Sequence, residues 1–186
     1  MGHGGNVIDE LRADHREVEE FFEKMQALPA HDEKRRDIAD QLTIELVRHS
    51  VAEEMYLYPA VRKHLPGGDA LADQEIKDHS TVEQLLKELE RAKVGDTRFD
   101  TLVQQLIQEV SAHIADEEQH LFPALARGVQ TATLDELGDK IRTAKKFAPT
   151  RPHPGAPSTP PANKLLAPGT GLVDRARDFV TGRGRS

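Results

Sequence analysis

The sequence repeats itself with a period of 64 residues, and this repeat limits the possible folds more than any other feature. The motif Asp-His-x-x-Val-Glu begins at Asp14 and again at Asp78. A longer motif, His-x-x-x-Glu-Glu-x-x-Leu-Tyr/Phe-Pro-Ala, begins at His49 and again at His113. The copies keep one register without insertions, which indicates duplication of a helix–loop–helix unit. Because one unit cannot bury its apolar stripe alone, we expect the two units to pack face to face.

Apolar residues at steps of three and four predict two helices in each repeat. The predicted helices span about residues 7–28, 33–64, 71–93 and 99–127. Pro59 and Pro123 fall inside the second and fourth helices, where we expect a kink or an early end. The chain has no Trp and few alternating β-branched runs, which agrees with an all-α protein built as a four-helix bundle.

The predicted domain organisation has three parts. Residues 1–130 form the bundle, and residues 131–146 form an additional helix that packs on it through Leu134, Leu137, Ile141 and Ala144. Residues 147–186 hold seven of the eleven prolines and are predicted as an extended, flexible tail. Within this tail, residues 172–180 are predicted as one short amphipathic helix.

The charge distribution argues against nucleic acid as a partner. The formal net charge is −7, and the segment from Phe147 onward holds six Lys and Arg against two Asp and Glu. The preceding residues therefore carry 19 basic against 30 acidic side chains, and such a body repels a phosphate backbone. The first residues do not form a signal peptide and no apolar run reaches membrane-spanning length, so we expect a cytoplasmic protein without membrane contacts.

Each of the four predicted bundle helices carries a histidine where a bundle normally has Leu: His15, His49, His79 and His113. A buried polar group costs about 1–3 kcal/mol unless it finds a partner. Glu53 and Glu117 follow His49 and His113 by four residues, so they lie on the same helix faces. A single His-x-x-x-Glu pair is a weak signal, but its recurrence at matching depth predicts bound metal.

The type of metal follows from the available donors. The chain has no Cys, which leaves imidazole, carboxylate, Tyr or water as ligands. This donor set favours iron or manganese over copper(I), and six protein ligands exceed what one zinc ion needs. Two ions, each with two nitrogen donors and with carboxylates able to bridge them, fit the set best. We therefore expect a site for two iron ions.

These motifs resemble the hemerythrin-like proteins, also called the HHE cation-binding domain family, over about residues 7–127. The resemblance implies an up-down-up-down bundle around an oxo- or hydroxo-bridged di-iron centre. It also implies terminal ligands at His15, His49, His79 and His113, and bridging ligands at Glu53 and Glu117. Oxygen-carrying hemerythrins have a second histidine four residues after the third-helix ligand, where this chain has Glu83. The pattern is closer to a bacterial subgroup with four histidines, which includes proteins linked to iron-centre repair, nitric oxide and peroxide.

Several further polar residues have two possible roles each. Tyr56 and His120 stand seven residues past His49 and His113, where they either coordinate or hydrogen-bond a ligand on iron, or lie beyond the site. Glu19 and Glu83 are either acceptors for histidine N–H groups or solvated charges. The remaining histidines are predicted at the surface: His3, His31, His64 and His153.

The sequence leaves three functions open. The leading hypothesis is a redox protein that binds or reacts with O₂, H₂O₂ or NO in oxidative or nitrosative stress, because the ligand set leaves a coordination position. A peroxide-decomposing or NO-reactive enzymatic activity fits this hypothesis. The alternative is a module that senses or donates iron without catalysis and whose tail contacts a partner protein. The third is a metal-free helical scaffold, which metal analysis would separate from the other two.

Overall fold

The computed structural model describes residues 4–184, so His3 lies outside the described residues. Within this range the chain forms eight α-helices: α1 (Val7–Ala27), α2 (Lys34–Ala52), α3 (Tyr58–His64), α4 (Gly68–Leu89), α5 (Thr97–Asp116), α6 (Phe122–Gly128), α7 (Thr131–Phe147) and α8 (Ala162–Thr181). A first π-turn, Glu53–Leu57, joins α2 to α3, and a second, Glu117–Leu121, joins α5 to α6. The four arms of the predicted up-down-up-down bundle are therefore α1, α2–α3, α4 and α5–α6.

Local sequence signals account for the ends of these arms. The Asn6 side chain accepts hydrogen bonds from the backbone N–H groups of Ile8 and Asp9 and caps the start of α1. Pro29 follows the end of α1, since proline cannot continue the backbone hydrogen bonding. Gly67, with a φ of 69°, supplies the left-handed turn from which α4 starts.

A π-turn stands directly before each internal proline. The backbone N–H of Tyr58 donates to the carbonyl of Glu53, five residues back, and Phe122 repeats this contact with Glu117. A proline in a regular α-helix clashes with the carbonyl four residues earlier. The wider turn provides room at Pro59 and Pro123. Both arms therefore continue through their prolines, and neither ends early.

The bundle interior consists of two apolar clusters with a polar layer between them. One cluster surrounds Leu11, Leu57, Phe122 and Leu125. The other surrounds Phe22, Leu42, Leu86, Phe99 and Leu106 and fills the opposite end. Along α1 the polar layer falls at Asp14 and His15, between Leu11 of one cluster and Val18 of the other. None of the described helices has the length and apolar character needed to cross a bilayer.

Helix α7 packs against α1, α2 and the first π-turn. It buries the four apolar residues predicted for this segment: Leu134, Leu137, Ile141 and Ala144. Lys145, on the same face, is also buried. This helix therefore brings a cation against the polar layer of the bundle.

The segment after α7 differs from its prediction. Residues 162–181 form a 20-residue helix, α8, which continues past Pro168 and is longer than the short helix predicted over 172–180. Residues 162–181 are therefore helical rather than extended. Contacts with the segment between α7 and α8 explain the difference, because the Asp174 and Asp178 carboxylates bind the backbone and side chain of Thr150.

Candidate metal centre

The four predicted histidines meet in the polar layer, and each is at most 8% exposed: His15, His49, His79 and His113. They form two pairs, each across one helical hairpin. The rings of His15 and His49 have centroids 5.1 Å apart, and those of His79 and His113 are 4.9 Å apart. Each pair thus combines one histidine from each helix of its repeat, as the duplication predicts.

The two central glutamates lie between these pairs and are fully buried. Glu53 Oε2 lies 3.1 Å from His49 Nε2 and 3.3 Å from His79 Nε2. Glu117 Oε2 lies 3.3 Å from His15 Nε2 and 3.6 Å from His113 Nε2. Each carboxylate therefore contacts one histidine from each pair. This is the placement of a group able to bridge two ions.

An outer set of carboxylates faces the other nitrogen of each histidine. Asp14 lies 3.3 Å from His49 Nδ1, and Glu54 lies 3.1 Å from His79 Nδ1. Glu118 and Glu75 each lie 2.9 Å from the Nδ1 atoms of His15 and His113, respectively. Carboxylates in this position fix the orientation of the ring and keep Nε2 directed inward.

Helix α7 supports this outer set through the buried Lys145. Its ammonium group contacts the Asp14 carboxylate and lies 3.4 Å from Glu10 Oε1. Arg142, one turn earlier on α7, lies 3.4 Å from the other oxygen of Glu10. Lys145 therefore stabilises the negative charge on Asp14, and Asp14 in turn positions His49.

The centre also contains a tyrosine that sequence analysis did not select. The Tyr58 hydroxyl lies 3.0 Å from His79 Nε2, 3.3 Å from Glu117 Oε1 and 3.4 Å from Glu53 Oε2. Five residues of regular α-helix would place it about 140° around the axis from Glu53. The π-turn instead hydrogen-bonds residue 58 back to residue 53, which brings both side chains to one face.

Several buried atoms of the centre have no hydrogen-bond partner among the described residues: His15 Nε2, His113 Nε2, Glu53 Oε1 and Glu117 Oε2. Buried polar atoms are seldom left without a partner, since each costs about 1–3 kcal/mol. All of these atoms belong to the six central side chains. Subsets of these side chains offer donor atoms within 4.8 Å of one another, for example His15, His49, Glu53 and Glu117. Such a set fits a bound cation, which would satisfy the nitrogens and oxygens together.

A family model described as the hemerythrin HHE cation-binding domain matches residues 6–125. The chain belongs to this family. The matched region covers all six central side chains and the four arms of the bundle except the last residues of α6. The chain is therefore a hemerythrin-like, metal-binding protein with a cluster of histidine and glutamate side chains.

Two relatives and one solved structure are similar to this chain. A hemerythrin-like protein of Schizosaccharomyces pombe is 28% identical over 175 residues, covering 94% of this chain and 86% of the relative. A protein of Nostoc sp. named as a DNA nickase is 30% identical over 142 residues, or 75% of this chain but 39% of that protein. The crystal structure of an HHE domain-containing protein from Mycobacterium kansasii shares the fold, with a TM-score of 0.68 at 24% identity. That match covers 77% of this chain and 86% of that chain.

The two further candidate ligands, Tyr56 and His120, lie outside the centre. Tyr56 packs beside the apolar core under Lys164, whose ammonium group lies 4.4 Å from the ring centroid. His120 is 69% exposed and pairs with Asp116. Both lie in the π-turns, where the helical spacing used to place them does not hold. The prolines after these turns were the one signal of that change.

The outer carboxylates were also missed. Glu19 pairs with Arg16 at the surface, and Glu83 accepts the backbone N–H of His153, so neither contacts a central histidine. His153 itself is half-buried and bonded to Asp174 rather than free at the surface. The doubled Glu-Glu of each repeat was a usable signal for Glu54 and Glu118. Asp14 and Glu75 depend on how the helices cross, which the repeat does not encode.

The pKa values of two central histidines show that the metal-free centre favours positive charge. Burial lowers the pKa of His49, but the charge of Glu53 and the hydrogen bond with Asp14 outweigh it and raise the pKa to about 10. Burial likewise lowers the pKa of His79, and its contacts with Glu53 and Glu54 raise it to about 10. The carboxylates thus stabilise positive charge at the positions where the rings meet.

A small cavity of about 20 Å³ borders all four central histidines. Its other walls are mainly apolar: Val18, Leu46, Val82, Val110 and Ile114. A larger cleft of about 490 Å³ opens on the surface beside His79, and residues 155–158 form part of its wall. Leu46, Ser50, His79 and Val82 line both the cavity and the cleft.

Proposed function

We propose that the chain holds two iron ions and uses them to bind or react with O₂, H₂O₂ or NO in oxidative or nitrosative stress. His15 and His49 would hold one ion, and His79 and His113 would hold the other. Glu53 and Glu117, which contact one histidine of each pair, would serve both ions. The observation that carries the proposal is the contact of each glutamate with one histidine of each pair.

The donors support iron as the metal. Neutral nitrogen, carboxylate oxygen and a phenol oxygen suit both ferrous and ferric ions, and the chain has no thiolate to favour copper(I) or zinc. Two iron ions held by these residues supply one-electron redox chemistry and a coordination position for an exogenous oxygen or nitrogen atom. The carboxylates offset the charge of the ions, and the apolar clusters on either side keep bulk water away.

Tyr58 is the candidate seventh ligand in place of Tyr56. Burial and the charges of Glu53 and Glu117 raise the pKa of the Tyr58 hydroxyl well above its usual value, so the metal-free protein holds it as a neutral phenol. The equivalent residue in the other repeat, Phe122, stacks on His15 and has no polar atom to offer. The two ions would therefore have different surroundings, with the phenol oxygen nearer to the His79 side.

The size of the cavity supports a small reactant. Its volume is about that needed for one water molecule, and its mainly apolar walls offer few competing hydrogen bonds. A diatomic molecule or peroxide fits this space, whereas an organic substrate does not. The size of the cavity and the open coordination position would therefore select the reactant.

The test combines metal content with reactivity. The iron-loaded protein should contain about two irons per chain, decompose added H₂O₂ or change its spectrum with O₂ or NO, and lose both properties in His49→Ala. His120→Ala is the matched control, because it removes an exposed histidine outside the centre. A protein with two irons that reacts with none of the three molecules would contradict the redox role. That result would favour the iron-sensing or iron-donating module.

A further inference from the structure

Helix α8 presents its apolar residues to solvent. Leu165 is 77% exposed, Leu172 is 67% exposed and Phe179 is 70% exposed. Leu166, Val173 and Val180 each follow one of these residues and are also exposed. The described residues contain no other helix with so many exposed large apolar side chains. Scattered exposed leucines are ordinary, but a continuous stripe along one helix marks an interaction surface.

The opposite, polar face of α8 holds the apolar residues on the solvent side. Asp174 and Asp178 lie on this polar face and are buried against the rest of the protein. Asp174 lies 2.8 Å from His153 Nε2, and Asp178 lies 2.7 Å from the Arg151 guanidinium. At Gly171 a Cβ would lie 2.2 Å from the carbonyl oxygen of Phe147, so the backbones are in close contact. Turning the apolar stripe inward would expose this contact and break both ion pairs.

The stripe has the spacing of a helix-pairing surface. Leu165, Leu172 and Phe179 recur every seven residues, and small residues, Gly169 and Ala176, alternate with them at steps of four and three. A Cβ built on Gly169 meets nothing within 4 Å, so the small positions are open to an approaching helix. Seven-residue spacing serves a second helix lying alongside, because it keeps one seam facing the partner.

The exposed area matches one side of a dimer interface. The six large apolar side chains expose on the order of 600–700 Å², close to the roughly 800 Å² per partner of a standard interface. The charges argue against an anionic lipid surface. Only Lys164 and Arg177 add exposed positive charge to α8, whereas the residues before Phe147 carry 19 basic and 30 acidic side chains.

We infer that two copies of this chain pair through α8, with the two helices antiparallel. The six apolar residues lie symmetrically about the peptide between Leu172 and Val173, which is where a two-fold axis would cross the pair. Antiparallel pairing also sets the helix dipoles in opposition. It places Gly169 of one copy opposite Ala176 of the other.

The mass in solution tests the pairing. Light scattering behind size exclusion should give twice the 20.7 kDa of one chain for the full-length protein. The double variant Leu172→Glu/Phe179→Glu should be monomeric, with unchanged helical circular dichroism and metal content. Arg177→Glu, which changes a flanking charge and keeps the stripe, should remain dimeric. A monomeric parent protein, or a dimer unaffected by the double variant, would overturn the inference.

Two further measurements separate the alternatives. The chain has no native cysteine, so Gly169→Cys and Ala176→Cys chains can be mixed after separate purification. The mixture should form a disulfide between the two variants faster than either variant alone, and faster self-linking of each would overturn the antiparallel arrangement. A monomer that sediments with phosphatidylglycerol vesicles would assign the stripe to a lipid surface and contradict a second copy.

Discussion

Each central histidine contacts two carboxylates, one at each ring nitrogen. The inner carboxylate is shared between histidines of different pairs, whereas the outer one serves a single ring. The outer carboxylate accepts a hydrogen bond from Nδ1–H of the neutral ring and fixes the orientation of that ring. The lone pair of Nε2 then points inward, where it is available to a cation. The orphaned atoms of the centre are all on this inner side, apart from His113 Nδ1 and Glu75 Oε2, which face each other without good hydrogen-bond alignment.

The first prediction concerns Tyr58 and Tyr56. Iron-loaded Tyr58→Phe should keep its metal but change its visible absorption, because the variant removes the phenol oxygen nearest to His79. Tyr56→Phe is the matched control and should leave the spectrum unchanged, since its ring lies under Lys164 outside the centre. The reverse result, a spectral change in Tyr56→Phe alone, would mean that the register through the π-turn is wrong.

The second prediction concerns protons. Since the pKa values of His49 and His79 are raised to about 10, these protons stabilise the metal-free fold fully below about pH 6.5. The stabilisation is lost as the pH rises through 10. Metal binding at pH 8 must displace both protons, so calorimetry in buffers of different ionisation enthalpy should detect release of about two protons or more per chain. Release of none would contradict coordination by these two imidazoles.

The site residues that the sequence predicted and those that it missed are positioned by different structural features. The six central side chains were predicted because a repeated helical period fixes which positions face the core. Tyr58 was missed, since a π-turn changes the face on which every later residue lies. The partners of the outer nitrogens come from neighbouring helices, and their contacts depend on how the helices cross rather than on any local spacing.

At the scale of elements, the π-turns link the folding of an arm to the chemistry of the centre. Each begins at a central glutamate and ends just before the residue that precedes a proline. The same turn that accommodates the proline thus also sets the height of Tyr58 or Phe122 above that glutamate. Insertion of one residue into a helix is a recurrent feature of functional sites.

Helix α7 lies outside the family match, and it supplies the third prediction. Lys145→Met should destabilise the metal-free protein by roughly 3 kcal/mol, because it removes a buried cation facing Asp14 and Glu10. Chemical denaturation measures this change in the free energy of unfolding. Lys146→Met is the control at an exposed neighbour and should change stability by about 0.5 kcal/mol or less. Equal effects of the two substitutions would show that α7 supports the centre only by packing.

The helices of the bundle were predictable to within a few residues, whereas only residues 172–180 of α8 were predicted as helix. The bundle arms carry a strong apolar period and cap signals. The segment after α7 is dominated by prolines, and its helix is held by polar contacts of Thr150, Arg151 and His153 with residues far along the sequence. Tertiary contacts of this kind override local propensity and cannot be read from local spacing.

At the scale of the whole molecule, the segment that follows α7 packs beside the centre formed by the two repeats. Residues 155–158 line the cleft beside His79, and His153 holds this segment in place through Glu83 and Asp174. The family match ends at residue 125, so this covering comes from the part of the chain beyond the matched domain. We therefore predict that the route from solvent to the cavity passes through this cleft, beside a segment that is held by a few polar contacts.

The fourth prediction tests this route. His153→Ala removes the ion pair with Asp174 and should raise the association rate of azide with the iron-loaded protein about tenfold, if opening becomes easier by about 1.4 kcal/mol. Stopped-flow absorbance measures the rate. His120→Ala, an exposed histidine away from the cleft, should leave it unchanged. An unchanged rate in His153→Ala would indicate entry elsewhere.

The central claim is that two ions lie between two histidine pairs and share two glutamates. Anomalous diffraction at the iron edge from crystals of the iron-loaded protein tests it most directly. We predict two peaks, one beside His15 and His49 and one beside His79 and His113, with Glu53 and Glu117 between them. A single peak, or a peak at Glu75 and His113 alone, would contradict the account.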